Sequence, residues 1–347
     1  MLQWTERPIG NIPYASDGLE HNLIIPRDNA IRRVYLRFDF NLTNPAGAPT
    51  FTEDDIFNLI KKIRIEEDGA NNRINLNGRM WFYIEYNEKE TKPNYVAPVT
   101  TVSTTYDATV TLIADFATDR DNEFDISAIL QTKKLSNLLL WVTWGLQADL
   151  ASANAPTINA STNVEVEIRE VYGTFDWTHI DKDGNQVTDK GVDVNDPDTY
   201  QPKRYTETFT TVKIDANHAS FDDDSLTYSI APTPSNIVSQ AMMVLDQNGL
   251  KNNSIVTQFK VQRESPYQLR HIQRKWLSMW DSKKVQQKLS EGLTIGFIFL
   301  DWIQESGGTG LINNTKDGDI KYRFLIAGFS AGQTINIFTR SFPIASA

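Results

Sequence analysis

Apolar and polar residues alternate along much of this 347-residue chain, and the alternation limits what the chain can fold into more than any other feature. Val164 to Arg169 would place three aliphatic side chains on one face of an extended strand and three charged side chains on the other. Val34 to Phe40 and Tyr322 to Ile326 repeat the pattern. A period of two is typical of a β-strand with one face in water. The chain is therefore predicted to be mainly β.

Two segments have a helical pattern instead. Thr52 to Asp55 has the layout of a capping box, and aliphatic residues follow at helical spacing from Ile56 to Ile63. Ser265 to Gln268 places a proline near a helix start, ahead of an apolar stripe from Leu269 to Trp276. We expect both segments to be short helices that cover a core.

Composition excludes several classes of function. The chain has no cysteine, so it has no disulfide, no thiolate metal ligand and no cysteine nucleophile. Its formal net charge is −10, whereas a protein that binds nucleic acid along its surface usually carries the opposite sign. From this charge we expect no direct contact with nucleic acid. In addition, no apolar run approaches the ~20 residues that a membrane helix needs.

The second half of the chain resembles a degenerate copy of the first. Pro26 and Pro232 are 206 residues apart (232 − 26), and Ile31 and Ile237 have the same spacing. A second landmark is a strand that leads to a tryptophan: Ile63–Ile65, Arg79 and Trp81, then Phe259–Val261, Arg274 and Trp276. A third is an aliphatic pair ahead of a strand: Ile129-Leu130 before Leu138, then Leu311-Ile312 before Tyr322. Three landmarks in one order indicate a duplicated β domain.

Each copy has about eight candidate strands, which favours a jelly roll, a fold that wraps two sheets around one core. The predicted fold is mainly β, with two tandem eight-stranded jelly rolls and short inserted helices. We expect an N-terminal arm over residues 1–20 and a first roll over 21–180. A linker rich in Asp, Gly and Pro would span 181–204, and the second roll with a C-terminal tail would span 205–347.

No catalytic or metal-binding constellation is found. None of the four histidines has metal-ligand spacing: His21, His179, His218 and His271. Asp181 to Asn185 resembles the opening of a calcium loop, but glycine is fourth and Val192 stands where the loop needs glutamate. A turn is the better interpretation. We predict no enzyme activity, no catalytic residue, no cofactor and no metal site.

The distribution of charge is more informative. Lys251 to Lys288 contains nine cations and two acids, a local charge of +7 (9 − 2) in an acidic chain. We predict contacts between chain copies that involve this stretch and an acidic run. The candidate residues are Arg270, Arg274, Lys275, Asp222, Asp223 and Asp224. The alternative interpretation is a basic helix with a solvated face.

Two tandem rolls with helices between strands resemble the double jelly-roll major capsid proteins of tailless icosahedral, membrane-containing viruses. Tectiviruses, corticoviruses and the adenovirus hexon share that fold. Ile63 to Trp81 resembles the crossing from strand to helix in the first roll. Phe116 to Asp119, followed by the strand from Leu138 to Trp144, resembles its late strands. The resemblance extends from about Leu19 to Phe342.

The resemblance implies homotrimers in which six rolls give a pseudo-hexagonal outline. Such capsomers would tile an icosahedral virion shell over an internal membrane, after synthesis in the host cytoplasm. Partners would be other copies of the chain, neighbouring capsomers, other capsid or vertex proteins, and lipid reached by termini at the inner side, Met1–Glu20 and Pro343–Ala347. Two alternatives stay open: a jelly-roll carbohydrate-binding or carbohydrate-active protein, and a minor vertex or spike protein.

Overall fold

The computed structural model of the chain describes residues 1–16, 18–51, 54–69, 71–89, 94–118, 120, 122–150, 153–181, 183–221, 225–230, 235–265, 268–275, 295–301, 312–313 and 320–343. The chain forms two compact units, Met1–Tyr205 and Thr206–Ala347. Strands dominate the described residues of both units, as the alternation of the sequence predicts.

The first unit is a jelly roll. Its strands are β1 Gln3–Pro13, β2 Glu20–Ile24, β3 Ala30–Thr43, β4 Ile60–Glu67, β5 Asn71–Leu76, β6 Thr105–Asp115, β7 Leu138–Trp144, β8 Thr157–Ile158, β9 Asn163–Tyr172, β10 Thr174–Ile180 and β11 Gln186–Asp193. The helix α1 spans Gly78–Lys89, and 3₁₀ turns span Asp55–Leu59 and Gln147–Asp149. One sheet has the order β1-β9-β3-β6 and the other β5-β4-β7-β2. The short β8 pairs with β3, and β10 pairs with β11 as a separate hairpin.

Alternating side chains build the core of this roll. Along β7 every second residue, from Leu138 to Trp144, is buried. The Trp144 ring meets the Phe38 and Phe40 rings of β3 edge-on, at centroid distances of 5.9 and 6.2 Å. Edge-to-face packing of this kind stabilises aromatic pairs beyond the area that they bury. The inward faces of the two sheets therefore meet at Trp144.

The second unit repeats the same topology. Its strands are β12 Thr206–Lys213, β13 Leu226–Ile230, β14 Ser235–Leu245, β15 Val256–Ser265, β16 Gln268–Lys275, β17 Phe297–Asp301, β18 Ile312–Asn313, β19 Ile320–Ile326 and β20 Thr334–Pro343. One run of paired strands is β12-β20-β14-β17, and the other is β13-β19-β15-β16. Buried Phe259, Tyr322 and Phe324 contribute to its core. Eight strands of each unit correspond one to one in chain order, so the chain is a double jelly roll.

Bulges at matched positions confirm the duplication. The β3–β9 register shifts between Ile31 and Arg33, and the β14–β20 register shifts between Ile237 and Ser239, 206 residues later (237 − 31). A bulge adds one unpaired residue and bends its strand. Leu130 pairs with Ile31 as an isolated bridge. In the second unit Ile312 pairs with Ile237, so the correspondences of Ile31 with Ile237 and of Leu130 with Ile312 are confirmed, whereas Pro232 and Leu311 lie outside the described residues.

The second landmark is only half right. Ile63–Ile65 and Phe259–Val261 lie at equivalent places on β4 and β15. However, Arg274 pairs with Phe259 in the β15–β16 hairpin, whereas Leu76 pairs with Ile63 in the β4–β5 hairpin. Arg274 is thus the counterpart of Leu76 and not of Arg79. Trp276, the proposed counterpart of Trp81, lies outside the described residues.

The helix predicted after Ser265 is wrong. Gln268–Lys275 is strand β16, which pairs with β15 along its whole length. The spacing of Leu269 and Ile272 fits a helix, but eight residues are too few for the period to decide, and pairing with β15 favours the strand. The other predicted helix is reduced to the 3₁₀ turn Asp55–Leu59, since β4 takes over at Ile60. Ile60, Ile63 and Ile65 are β-branched residues, which favour a strand.

The predicted N-terminal arm is also wrong. Gln3–Pro13 is strand β1, which pairs antiparallel with β9 from Gln3 to Pro13. A register shift between Pro8 and Gly10 breaks the period of two, and this break hid the strand in the sequence. The first twenty residues therefore supply the first strand of the first roll.

The predicted linker folds as part of the first unit. Thr174–Ile180 and Gln186–Asp193 form a hairpin that turns at Gly184, which has a positive φ of 84°. Beyond the hairpin, Tyr200 is buried with Val194, and its ring lies 4.9 Å from the Phe175 ring, centroid to centroid. Few residues of this segment are apolar, but those few pack together.

Tyr200 makes the stability of the protein sensitive to alkali. Its hydroxyl donates to the carbonyl of Ile126 at 2.6 Å, and burial raises its pKa above the usual 10.0. The folded state then holds this proton more tightly than the unfolded state. The contribution of Tyr200 to the free energy of unfolding is fully present below about pH 10, the unfolded pKa. This contribution is lost as pH rises towards the pKa of the folded state. The free energy of unfolding should therefore fall from about pH 10 upward.

Urea unfolding of the parent and of Tyr200→Phe between pH 8 and 11 measures this contribution. The variant should lose about 1 kcal/mol at pH 8, where it lacks one hydrogen bond. Its stability should then fall less steeply at higher pH. If the free energy of unfolding fell with pH at the same rate in both proteins, the Tyr200 hydroxyl would not contribute to the alkaline loss of stability.

Candidate functional site

The three basic residues nominated from the sequence lie on β16, the last strand of the described sheet β13-β19-β15-β16. The strand register pairs Arg274 with Phe259 of β15, Arg270 with Arg263 and Lys275 with Gln258. The predicted role of these cations in contacts between chain copies stays a prediction, and Asp222, Asp223 and Asp224 lie outside the described residues.

The structure instead brings together cations from two neighbouring strands. Lys260 of β15 is directly opposite Arg323 of β19, and Lys321 lies two residues before Arg323 on the same face. Lys260 Nζ is 5.8 Å from the centroid of the Phe221 ring, and Arg323 donates to the Phe221 carbonyl at 2.8 Å. All three cations are partly exposed. We call Lys260, Lys321 and Arg323 the basic face.

Sequence reasoning missed two members of the basic face. Lys321 and Arg323 lie beyond the basic stretch that ends at Lys288, in a strand that was noted only for its alternation. They meet Lys260 because β19 pairs with β15, more than 55 residues away in the chain. The alternation Lys321-Tyr322-Arg323 could have shown this, because it places both cations on the solvent-exposed side of the strand.

The equivalent face of the first roll has different chemistry. The strand pairing sets Trp141 where Arg323 stands and Leu139 where Lys321 stands, opposite Arg64 and Glu66 of β4. The Arg64 guanidinium lies 5.1 Å from the centroid of the Trp141 ring, a cation–π geometry. It also donates to Glu66 at 3.0 Å. At matched positions the first roll has Trp141 and Leu139 where the second has Arg323 and Lys321.

A second charged cluster is buried. Arg32, the bulged residue of β3, has a fully buried side chain that forms an ion pair with Asp115 of β6, and Arg33 Nε contacts the other Asp115 oxygen at 2.8 Å. Burial lowers the pKa of Arg32 to about 10, so the guanidinium stays protonated at neutral pH. Asp115 is thereby enclosed by two arginines, which gives it a structural role.

A cross-strand ion pair recurs in both rolls. Glu6 of β1 is opposite Arg169 of β9, with 3.6 Å between Oε1 and Nε. Glu207 of β12 is opposite Arg340 of β20, with 2.7 Å between the same atoms. The second pair is buried and the first is partly exposed. Like the bulges, these pairs mark equivalent positions and join the first strand of each roll to its neighbour.

Two of the histidines, His179 and His218, take structural positions. His179 stacks on Trp177 at 4.1 Å between ring centroids, and His218 Nε2 is 2.9 Å from Asp215 Oδ1. In the part of the chain that the structure describes, no three His, Asp or Glu side chains are grouped so as to hold a metal ion. Within that part, no helix is long and apolar enough to cross a membrane.

Comparisons with known proteins rest on structure alone. No protein-family model matches the chain. No curated protein matches it in sequence either. The major capsid protein of Sulfolobus turreted icosahedral virus (STIV) superposes with a TM-score of 0.67 at 13% identity, over 99% of this chain and 97% of that one. The capsid of PBCV-1 virus gives 0.57 at 11%, over 100% and 98%.

A third solved structure has the same fold. The major capsid protein P2 from bacteriophage PM2 superposes with a TM-score of 0.51 at 11% identity, over 99% of this chain and 98% of that one. At such identities the likeness establishes the fold, which is the double jelly roll of these capsid proteins. It extends over both rolls.

Proposed function

We propose that this chain is a major capsid protein whose homotrimers form the pseudo-hexameric capsomers of an icosahedral virion shell. The observation that carries the proposal is the match over nearly the full length of both chains, 99% and 97%, with the capsid protein of STIV. Two complete rolls with one topology supply a pseudo-six-fold outline when three chains assemble.

The buried carboxylates favour a structural role over carbohydrate chemistry. A glycosidase needs two carboxyl groups that face each other across a cleft. Six buried acids in the described residues instead contact arginine: Asp54 with Arg79, Glu66 with Arg64, Glu67 with Arg73, Asp115 with Arg32, Glu170 with Arg7, and Glu207 with Arg340. Four of these pairs, those of Glu67, Asp115, Glu170 and Glu207, join neighbouring strands.

The expected partners are other copies of the chain, first in the trimer and then in neighbouring capsomers, with further capsid or vertex proteins at special positions. The shell would enclose an internal membrane. The N-terminal segment is a weaker candidate for lipid contact than its sequence suggested, because Gln3–Pro13 is a strand of the roll. The nominated contacts at Arg270, Arg274 and Lys275 remain part of the proposal.

The mass of the purified protein in solution tests the trimer. Light scattering after size exclusion should give about 118 kDa, three chains of 39.4 kDa each, at micromolar concentration. Trimer interfaces of this kind bury large, partly apolar areas, so dilution should not release much monomer. A stable, folded species of 39.4 kDa would contradict the proposal.

A further inference from the structure

Three stretches of the first unit contain no charged residue. They are residues 40–52, 93–106 and 150–164, with 13 to 15 residues each, in a chain of which 22% is charged. The first includes the end of β3, the second the start of β6, and the third β8 with the start of β9. Because β3 pairs with β6, β8 and β9, the three stretches meet at one end of the roll. We call their described residues the uncharged end.

Hydrogen bonds between the stretches hold the uncharged end together. The side-chain amide of Asn44, a buried residue, donates to the carbonyls of Val99 and Thr101, both at 2.8 Å. Asn154 Nδ2 donates to the carbonyl of Ala48 at 3.1 Å. A loop whose backbone is already held loses little conformational freedom when a partner binds, which favours association. The uncharged end is therefore preorganised for contact.

The uncharged end leaves apolar side chains in water. Val96, Val99 and Val102 stand at every third residue of the second stretch, and their exposed fractions are 54%, 41% and 44%. Other exposed residues of this end are small and uncharged: Ala46, Ala48, Thr101, Ser103 and Asn154. Exposed apolar area without charge is typical of the centre of a surface that contacts another protein.

The absence of charge limits what can bind to these stretches. A nucleic acid or an anionic membrane needs cations and a basic protein needs acids, and the three stretches contain neither. Residues 1–205 contain 20 Lys and Arg and 31 Asp and Glu, a formal charge of −11 (20 − 31), so copies of this unit repel one another. At the uncharged end, two such units can approach without local repulsion.

Three-fold symmetry is a second reason to expect a contact between copies here. Residues beside a three-fold axis face the same residues of the other two copies, so a charge at that place would face its own sign. Like charges in contact disfavour association, whereas valine and alanine can pack against their own copies. A surface that meets itself around such an axis is therefore expected to be uncharged.

We propose that the uncharged end of the first roll contacts the uncharged ends of the other two copies around the three-fold axis of the trimer. The inference rests on the proposed function, because it needs the trimer. Val96, Val99 and Val102 then lose their exposure when three chains assemble.

Charges of either sign, placed on the valines of the full-length protein, test the contact. An acidic variant carries Val99→Glu and Val102→Glu, and a basic variant carries Val99→Lys and Val102→Lys. Ile180→Glu and Ile180→Lys are matched controls, because Ile180 is an aliphatic residue of the same unit, 65% exposed, that lies on β10 outside the uncharged end. Fluorescence-detected analytical ultracentrifugation measures the chain concentration at which half of the trimer has dissociated.

Both valine variants should raise this concentration about ten-fold or more, because like charges from three copies meet at the axis. The increase should be smaller in 1 M salt, where the screening length is only about 3 Å. An equimolar mixture of the acidic and basic variants should recover to within about three-fold of the parent, since opposite charges then meet. The Ile180 controls should stay within about three-fold.

The two signs and the mixture show which surface the uncharged end faces. If only one sign weakened the trimer, the valines would face a charged region of the neighbouring copy, and the inference would be overturned. Valine variants that match the parent, or a mixture that stays weak although circular dichroism shows folded chains, would also overturn it and leave the proposed function intact. A parent that is not a trimer would overturn the proposed function itself.

Two further measurements address other contacts. Binding of the parent to phosphatidylcholine vesicles, lost in both valine variants, would assign the uncharged end to lipid and overturn the inference. Glu53, Glu90 and Lys92 stand beside the stretches in the chain and lie outside the described residues. Replacing all three with glutamine should leave the dissociation concentration within about three-fold of the parent. A larger increase would show that charges carry the contact, contrary to the inference.

Discussion

Replacing Trp81 with alanine should lower the free energy of unfolding by about 3–5 kcal/mol, the range for large aromatic side chains removed from cores. Trp81 lies on α1 with 1% of its surface exposed. Its indole nitrogen donates to Glu85 Oε1 at 3.0 Å, and the same oxygen accepts the amide of Ile113 on β6 at 2.8 Å. The substitution thus removes core volume and disturbs the carboxylate that joins α1 to β6.

Urea unfolding followed by circular dichroism measures the loss. Phe124→Ala is the matched control, because Phe124 is an aromatic residue of the same unit with 67% of its surface exposed, and we expect a change within about 0.5 kcal/mol. A loss below about 1 kcal/mol for Trp81→Ala would show that α1 is not part of the cooperative core.

Removing the carboxylate of Asp115 should destabilise the first roll by about 3–5 kcal/mol, because Asp115→Ala leaves Arg32 charged and fully buried without its counter-ion. The Arg32 side chain is 0% exposed, and Arg33 contacts the same carboxylate. An unpaired guanidinium that is kept from water raises the free energy of the folded state. Breaking an exposed ion pair does not, because both charged groups stay in water.

Double replacement shows whether the lost counter-ion is the cause. Arg32→Met combined with Asp115→Leu keeps the volume and removes both charges, so it should cost clearly less than Asp115→Ala alone. Asp39→Ala, which breaks the more exposed pair with Arg37, should change stability by about 0–1 kcal/mol. Equal losses for the single and double variants would mean that the buried charge is not what Asp115 stabilises.

The strands and their duplication followed from the sequence because both depend on local patterns. Val34 to Phe40 shows the period of two without interruption, and Ile31 and Ile237 keep their spacing because each stands before a bulge of the same kind. The strand β1 was missed since a register shift after Pro8 interrupts its alternation. Local pattern fails where the backbone departs from regular geometry.

The candidate surface was harder to predict because it depends on pairing between distant strands. The basic stretch of the sequence contains Arg274 and Lys260, and only the hairpin register shows that Arg274 stands opposite buried Phe259. Lys260 meets Arg323 through the β15–β19 ladder, which no local pattern encodes. Residues 181–204 were taken for a linker, since composition does not reveal that β11 pairs with β10 or that Tyr200 packs against Phe175 and Trp177.

Electron cryomicroscopy of the purified full-length protein tests the central claim most directly. A capsid protein with two rolls per chain should give particles of three chains, in which six rolls stand around a three-fold axis with a hexagonal outline. Monomers, or assemblies with any other symmetry, would contradict the assignment of this double jelly roll to a virion shell.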